Sequence, residues 1–335
     1  MNTYAPHLAA LQALGYEDRE AQFLYFVATH SGYFTIQQFL DFTGQPKGRP
    51  AHRFVQKLVS RRHARTTEYA RKTYVVNVYS RRAYAAIDKE NLRNRRRQSK
   101  DLTLTRLLIL DFVLAHATEG YLETEADKVA YFHDLLGLSL PALPGRIYKG
   151  AKSNQNTKRY FVDRFPIFIP NQQNGLGLQP VVTFTYCDRT APSLTQYVTH
   201  LRAYEKFLHR LPAFNFVYAS PNSANFNRAR AFFSRVFPDA EAVDARHLVR
   251  YFQLRLLWES NRTNMLTRAD RDFLRAGDKR YQGELFASAF HKWAACGLSD
   301  SDISSLLGPP KPRQERNFCT YVLPHEHNIF ETFAA

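Results

Sequence analysis

An α+β fold is what the sequence predicts, and three observations lead to it. Apolar residues recur at helical spacing in successive stretches between residues 17 and 62, the last of them strongly basic on its other face. Two short runs rich in Thr, Tyr and Val follow, joined by a charged turn, which is the pattern of a β-hairpin. From residue 147 onward, strand-like and helix-like segments alternate, as they do in an α/β layer. The chain therefore reads in three parts: a domain at residues 1–100, a helical linker at 101–146, and an α/β domain with C-terminal helices at 147–335.

Residues 17–30 carry Ala21, Leu24, Tyr25 and Ala28 at i, i+3, i+4 and i+7. Residues 35–43 carry Ile36, Phe39 and Leu40 behind Thr35, a hydroxyl placed to cap. The turn Gly44-Gln45-Pro46-Lys47-Gly48 leads into residues 49–62, where Pro50 fits a first helical turn. Ala51, Phe54, Val55, Leu58 and Val59 form the stripe expected to bury itself, and Arg49, Arg53, Gln56, Lys57, Ser60 and Arg61 form the opposite face. Residues 64–69 and 73–79, joined by Ala70-Arg71-Lys72, supply the hairpin. Helix, helix, turn, basic helix and hairpin in that order outline a winged helix-turn-helix, which lays its recognition helix in a DNA major groove. On this reading Lys47, Arg49, His52 and Arg53 lead the recognition helix, and Arg49, His52, Arg53 and Gln56 read base edges. Lys57, Arg61, Arg65, Arg71 and Lys72 anchor phosphates.

Charge agrees with a polyanionic partner. The 335 residues carry 46 Lys and Arg against 30 Asp and Glu, a formal net charge of +16. Residues 1–100 hold 18 of the basic and 7 of the acidic residues, so +11 of that charge lies in less than a third of the length. The expected partner is double-stranded DNA, bound by a monomer or a homodimer. No charged-then-apolar leader opens the sequence and no apolar run approaches the roughly 18 residues of a membrane span, so a cytoplasmic protein without a membrane partner is expected.

Cofactor and metal chemistry find little support in the sequence. Cys187, Cys296 and Cys319 stand far apart without Cys-x-x-Cys spacing, which predicts neither a zinc site nor a disulfide framework. His325-Glu326-His327 is the one tight histidine pair; its rings share a face only in a strand, and no third ligand is evident beside them. A solvated tail without metal is the expectation there. No Gly-rich phosphate loop, nucleophile elbow or Ser/His/Asp arrangement appears, so no cofactor or small-molecule ligand is expected.

The linker opens with the basic runs Arg81-Arg82 and residues 93–100, which flank a short helical stretch and can add non-specific phosphate contacts. Residues 102–117 are apolar on several sides, which predicts a buried helix acting as a hub, with Asp111 requiring a hydrogen-bond partner. Thr124-Glu125-Ala126-Asp127 resembles a capping box opening a helix to Leu136. Beyond it, strands are predicted at 160–169, 181–187 and 214–219. Helices are predicted at 194–211, behind a capping box at Ser193, and at 222–236.

That β-β-α-β-α order matches the second half of a restriction-endonuclease-like core, and a divalent-metal nuclease is the alternative function. Asp163 fits the first acidic position of such a site. The strand Val181-Val182-Thr183-Phe184-Thr185-Tyr186-Cys187 lacks the Glu-x-Lys pair that would hold Mg²⁺ and activate water, and Asp188 reads as a turn residue. A degenerate, non-catalytic core is therefore expected. The run from Val181 through Asp188-Arg189-Thr190, a helix ending near Ala203-Tyr204, and the domain order together resemble the replication-relaxation family of bacterial plasmids and integrative elements, over residues 17–236. The resemblance implies DNA binding in transcription regulation or in plasmid and mobile-element maintenance. Phe184 and Thr185 stand where members often carry an acid, which removes the basis for a metal-dependent role. Helices at 245–259, 268–275 and 281–296, a small acidic helix near 300–307 and an extended tail after Pro312 complete the prediction.

Overall fold

The computed structural model describes residues 4–46, 48–70, 73–148, 157–163, 165–171, 178, 180–189, 193–238, 245–297, 302 and 315–327. Helices and strands mix along the chain, as an α+β class requires. Compactness divides it into one unit of Met1–Phe237 with Glu315–Ala335 and a second of Pro238–Gln314. The sequence-read segments 1–100 and 101–146 thus fall together in the first unit.

The first unit opens with α1 (Ala5–Ala13), α2 (Asp18–Phe26), a π-helical turn (Val27–Ser31), β1 (Tyr33–Thr35), α3 (Ile36–Thr43), α4 (Arg49–Ser60), β2 (Ala64–Ala70) and β3 (Thr73–Val78). Thr35 caps α3 as expected: its Oγ1 accepts from Gln38 N, and Gln38 Oε1 accepts from Thr35 N at 3.0 Å. Gly44, at φ +68, ends that helix in the left-handed conformation. Phe54 of α4 is fully buried against Phe39, ring centroids 4.4 Å apart, with Phe23 and Phe34 around it. β3 lies between β1 and β2, antiparallel to both. Gly32, at φ +81, delivers the chain into β1; a Cβ there would meet the Asn94 carbonyl at 2.2 Å.

After α5 (Arg81–Ala85) and a 3₁₀ turn (Arg93–Arg95), α6 (Lys100–Ala115) begins where Ser99 Oγ accepts from Leu102 N. Leu107, Leu108, Ile109, Leu110, Phe112 and Val113 are buried, and the helix packs on β1, on the π-helical turn and on the strand Thr183–Cys187. Asp111 finds its partners in Gln38, His325 and His327. Burial works against its ionised form, but the hydrogen bonds from His325 and His327 outweigh it and hold the carboxyl below the usual carboxylate range.

The larger sheet uses β4 (Gly120–Tyr121), β7 (Ile167–Ile169), β8 (Thr183–Cys187), β9 (Ala213–Ser220) and β10 (Glu315–Val322), in the order β10-β9-β8-β7-β4. β8, β9 and β10 run parallel to one another, and β7 lies antiparallel to both of its neighbours, β8 and β4. α7 (Glu125–Val129) starts at the expected Thr124 box and continues as a π-helical turn to Leu135. β5 (Gly145–Tyr148) and β6 (Thr157–Tyr160) form a separate antiparallel pair. The strand expected over 160–169 is therefore two pieces, broken where Phe161 takes φ 47 and its N–H turns to the Pro144 carbonyl. α8 (Thr195–Leu208) and α9 (Phe226–Val236) follow β8 and β9. The expected box at Ser193 does not form: Leu194 is the N-cap, and Ser193 Oγ accepts from Thr195 N. The tail expected after Pro312 includes a strand, β10, paired along its whole length with β9.

The second unit holds α10 (Ala245–Glu259), α11 (Arg268–Arg280) and α12 (Glu284–Cys296) around Leu248, Tyr251, Phe252, Leu274 and Phe290. α11 runs five residues past the expected end, and Gly283 delays α12 to Glu284. The acidic helix expected near 300–307 lies, save Asp302, outside the described residues.

Candidate nucleic-acid interface

One side of α4 is core and the other is solvent. Ala51, Phe54 and Leu58 are buried, while Arg49, His52, Arg53, Gln56 and Ser60 are exposed. The i, i+4, i+7 and i+11 spacing of Arg49, Arg53, Gln56 and Ser60 sets them in a row along the helix. Among the described residues, Arg49, His52, Arg53 and Gln56 make no side-chain hydrogen bond or ion pair. Gly48 supplies no side-chain cap, so the first-turn N–H groups of α4 lack that partner, and the positive end of the helix lies beside Arg49. Val59 departs from expectation: it is 42% exposed beside this row, because the core stripe ends at Leu58.

Comparison with family models, with curated proteins and with solved structures finds no match for this chain.

The residues expected to anchor phosphate divide differently. Lys57 is half-buried and paired with Glu20 of α2, with Glu17 4.0 Å away, so its charge is met within the protein. Arg61 donates to the Leu14 carbonyl and covers the Tyr16 ring, its centroid 5.4 Å from the guanidinium carbon. It braces α4 against the α1–α2 turn, where Gly15 leaves it room. Arg65 is exposed on β2, yet its Nε donates to Asn77 Oδ1 at 3.1 Å, and Asn77 in turn donates to the Gly32 carbonyl. The guanidinium retains N–H groups that can face a phosphate. Lys47, Arg71 and Lys72 lie outside the described residues.

Two further exposed arginines belong to the candidate surface, Arg62, which sequence reasoning missed, and Arg97, which it read only as part of the basic run at 93–100. Arg62, at φ 57, follows the C-cap of α4 in the left-handed conformation and is exposed. Arg97, from the basic run of the linker, lines a small cleft of about 100 Å³ with Arg65, Tyr33, Thr67 and Asn77. The Tyr33 hydroxyl fixes that run by donating to the Arg96 carbonyl and accepting from Gln98 N. Linker charge and hairpin charge thus meet on one surface, a juxtaposition that requires the fold. His63, just past the end of α4, packs its Nδ1 2.6 Å from the Tyr16 hydroxyl, and burial, with Arg82 and Arg61 nearby, pushes its imidazole below the usual range.

The acids considered for a nuclease site are separate from one another's chemistry. Asp188 is buried and accepts from the Tyr218 hydroxyl at 2.6 Å and from Asn225 Nδ2. The turn residue expected there is thus a satisfied interior carboxylate. Asp163 Oδ2 lies 3.6 Å from His200 Nδ1. The cluster of three metal-ligating side chains found among the described residues contains neither of them. No helix among the described residues is long and apolar enough to cross a membrane.

Proposed function

We propose that this chain is a sequence-specific double-stranded DNA-binding protein and that residues 18–78 act as a winged helix-turn-helix. α3 and α4 are the paired helices, α4 is the recognition helix, and β2 with β3 is the wing. The observation that carries this reading is the set of four uncommitted side chains, Arg49, His52, Arg53 and Gln56, on the exposed side of a helix whose other side is core. Guanidinium and amide groups are the ones that meet guanine and adenine edges in pairs of hydrogen bonds. A solvated surface helix needs only charge, whereas the exposed side of α4 mixes fork-shaped, amide and imidazole groups. Arg62, Arg65 and Arg97 supply the phosphate contacts beside it, and Lys47, Arg71 and Lys72 extend them.

The α/β layer, with its β7-β8-α8-β9-α9 order, takes the part of a degenerate restriction-endonuclease-like core in this proposal. Its role is non-catalytic: dimerisation, partner binding or a second DNA contact. β8 offers Phe184 and Thr185 where a catalytic strand would offer acids, and Asp188 is committed to Tyr218. The resemblance to the replication-relaxation family extends the proposal to transcription regulation or the maintenance of plasmids and mobile elements. Selection of bound fragments from the source genome tests all of this together. A shared motif near an origin or promoter supports the reading, and enrichment without a motif counts against sequence specificity.

A further inference from the structure

The segment that follows β10 carries two imidazoles onto a buried carboxylate. His327 Nε2 lies 2.6 Å from Asp111 Oδ2, and His325 Nδ1 lies 2.8 Å from Asp111 Oδ1. These donor atoms all fall within 4.8 Å of one another. The Asp111 and His327 side chains are 1% and 5% exposed, and that of His325 is 21% exposed, so the cluster is closed on one side and reachable on the other. The third ligand that the tail lacks in sequence comes from α6, more than two hundred residues earlier.

Two further groups orient the donors. Asp41 of α3 holds His325 Nε2 at 2.8 Å, which fixes the ring with Nδ1 turned to Asp111. Gln38 Nε2 donates to Asp111 Oδ1 at 2.7 Å and to the Leu107 carbonyl at 2.9 Å, leaving Oδ2 as the better-placed donor. A carboxylate behind a ligating histidine and an amide behind a ligating carboxylate are the outer partners that metal sites use. His327 also stands at φ 50, a conformation that a non-glycine residue keeps where its surroundings impose it.

We propose that Asp111, His325 and His327 bind a divalent first-row transition ion, Zn²⁺ above all, and that the ion fastens the C-terminal segment to α6 and, through Asp41 and Gln38, to α3. Two imidazoles and one carboxylate suit such an ion, whereas Mg²⁺ and Ca²⁺ prefer oxygen alone. Zn²⁺ holds these ligands at about 2.0–2.2 Å, which sets neighbouring donors about 3.3 Å apart in a tetrahedron. The pairs at 2.6 and 2.8 Å therefore open by roughly half an ångström around the ion. Water takes the fourth position, on the His325 side. Both rings ligate as neutral imidazoles, so the ion replaces the protons that otherwise sit between them and Asp111.

Untagged full-length protein, stripped with chelator and titrated near neutral pH with Co²⁺ alone and then Zn²⁺ alone, tests the site. One equivalent of Co²⁺ is expected to give the visible absorption of a four-coordinate ion, and one equivalent of Zn²⁺ to abolish it. Zn²⁺ at a hundredfold excess over Kd is expected to raise Tm by about 5 °C. The variant His325→Ala/His327→Ala, changed only on the tail, should lose both responses while keeping the circular dichroism of the metal-free wild type. Asp41→Asn should bind about 10–100-fold more weakly. A wild-type protein that gives neither absorption nor a Tm shift has a proton-bridged cluster, and the proposal is then wrong. Equal Co²⁺ spectra from wild type and double variant overturn it as well. The wild-type titration decides even if the double variant does not fold, and it is independent of DNA binding.

Discussion

Arg53 and Lys57 stand four residues apart on one helix and differ in what they touch. Arg53 is exposed and uncommitted, whereas Lys57 is held by Glu20. Arg53→Ala is therefore expected to cost roughly 1–3 kcal/mol on a preferred duplex and to relax the preference. Lys57→Ala should change stability and leave the ratio of preferred to scrambled duplex intact. Competition binding with both duplexes checks this, and sequence-blind losses for both variants would mean that the helix does not read bases. A second residue-scale prediction concerns pH. His30 is buried against Tyr121 with no partner for Nε2 among the described residues, and burial, with Lys89 and Lys128 nearby, pushes its imidazole down to about 3 from 6.5. Between those values the unfolded chain takes up a proton that the folded chain refuses, so this stabilisation is complete above pH 6.5 and is lost as pH falls toward 3. At pH 5 the loss is about 2 kcal/mol. Denaturant titrations near neutrality and at pH 5 should show a steeper drop for the wild type than for His30→Asn; equal drops would contradict the assignment.

At the scale of elements, α4 shows how a stripe serves two purposes. Phe54 fills the space between Phe39, Phe23 and Phe34, so Phe54→Ala should cost about 3–5 kcal/mol, whereas Val59→Ser on the open face should cost less than about 0.5 kcal/mol. Equilibrium unfolding of the two variants distinguishes them, and similar losses would place Val59 in the core after all. Elements whose signals are local were legible: the Thr35 and Thr124 caps, the apolar period of α6, and the β8-α8-β9-α9 alternation. Those that depend on distant partners were not. β10 pairs with a strand a hundred residues earlier and leaves no turn or hairpin signal nearby. Phe161 interrupts an apolar run by a backbone rotation that its side chain does not announce. Of the proposed interface, the exposed side of α4 is written in one helix, while the commitments of Lys57 and Arg61 lie on α2 and the α1–α2 turn.

For the whole molecule, the charge of +16 predicts binding that weakens steeply with salt. With Lys57 and Arg61 engaged inside the protein, the six basic groups proposed for phosphates are Arg62, Arg65, Arg97, Lys47, Arg71 and Lys72, and the slope of log K against log[salt] should be on the order of −5. A flat response between low and moderate salt would remove the electrostatic basis of the proposal. Salt dependence alone does not separate reading from attraction, and the central claim is that α4 reads. The most direct test is equilibrium competition at fixed salt between a duplex recovered by fragment selection and a scrambled duplex of equal length, for wild type and for Arg53→Ala/Gln56→Ala. The wild type is expected to prefer the recovered duplex by at least two orders of magnitude, and the double variant to lose most of that preference while keeping its affinity for the scrambled one. Equal affinity of the wild type for both duplexes, or a preference untouched by the double substitution, would contradict that claim.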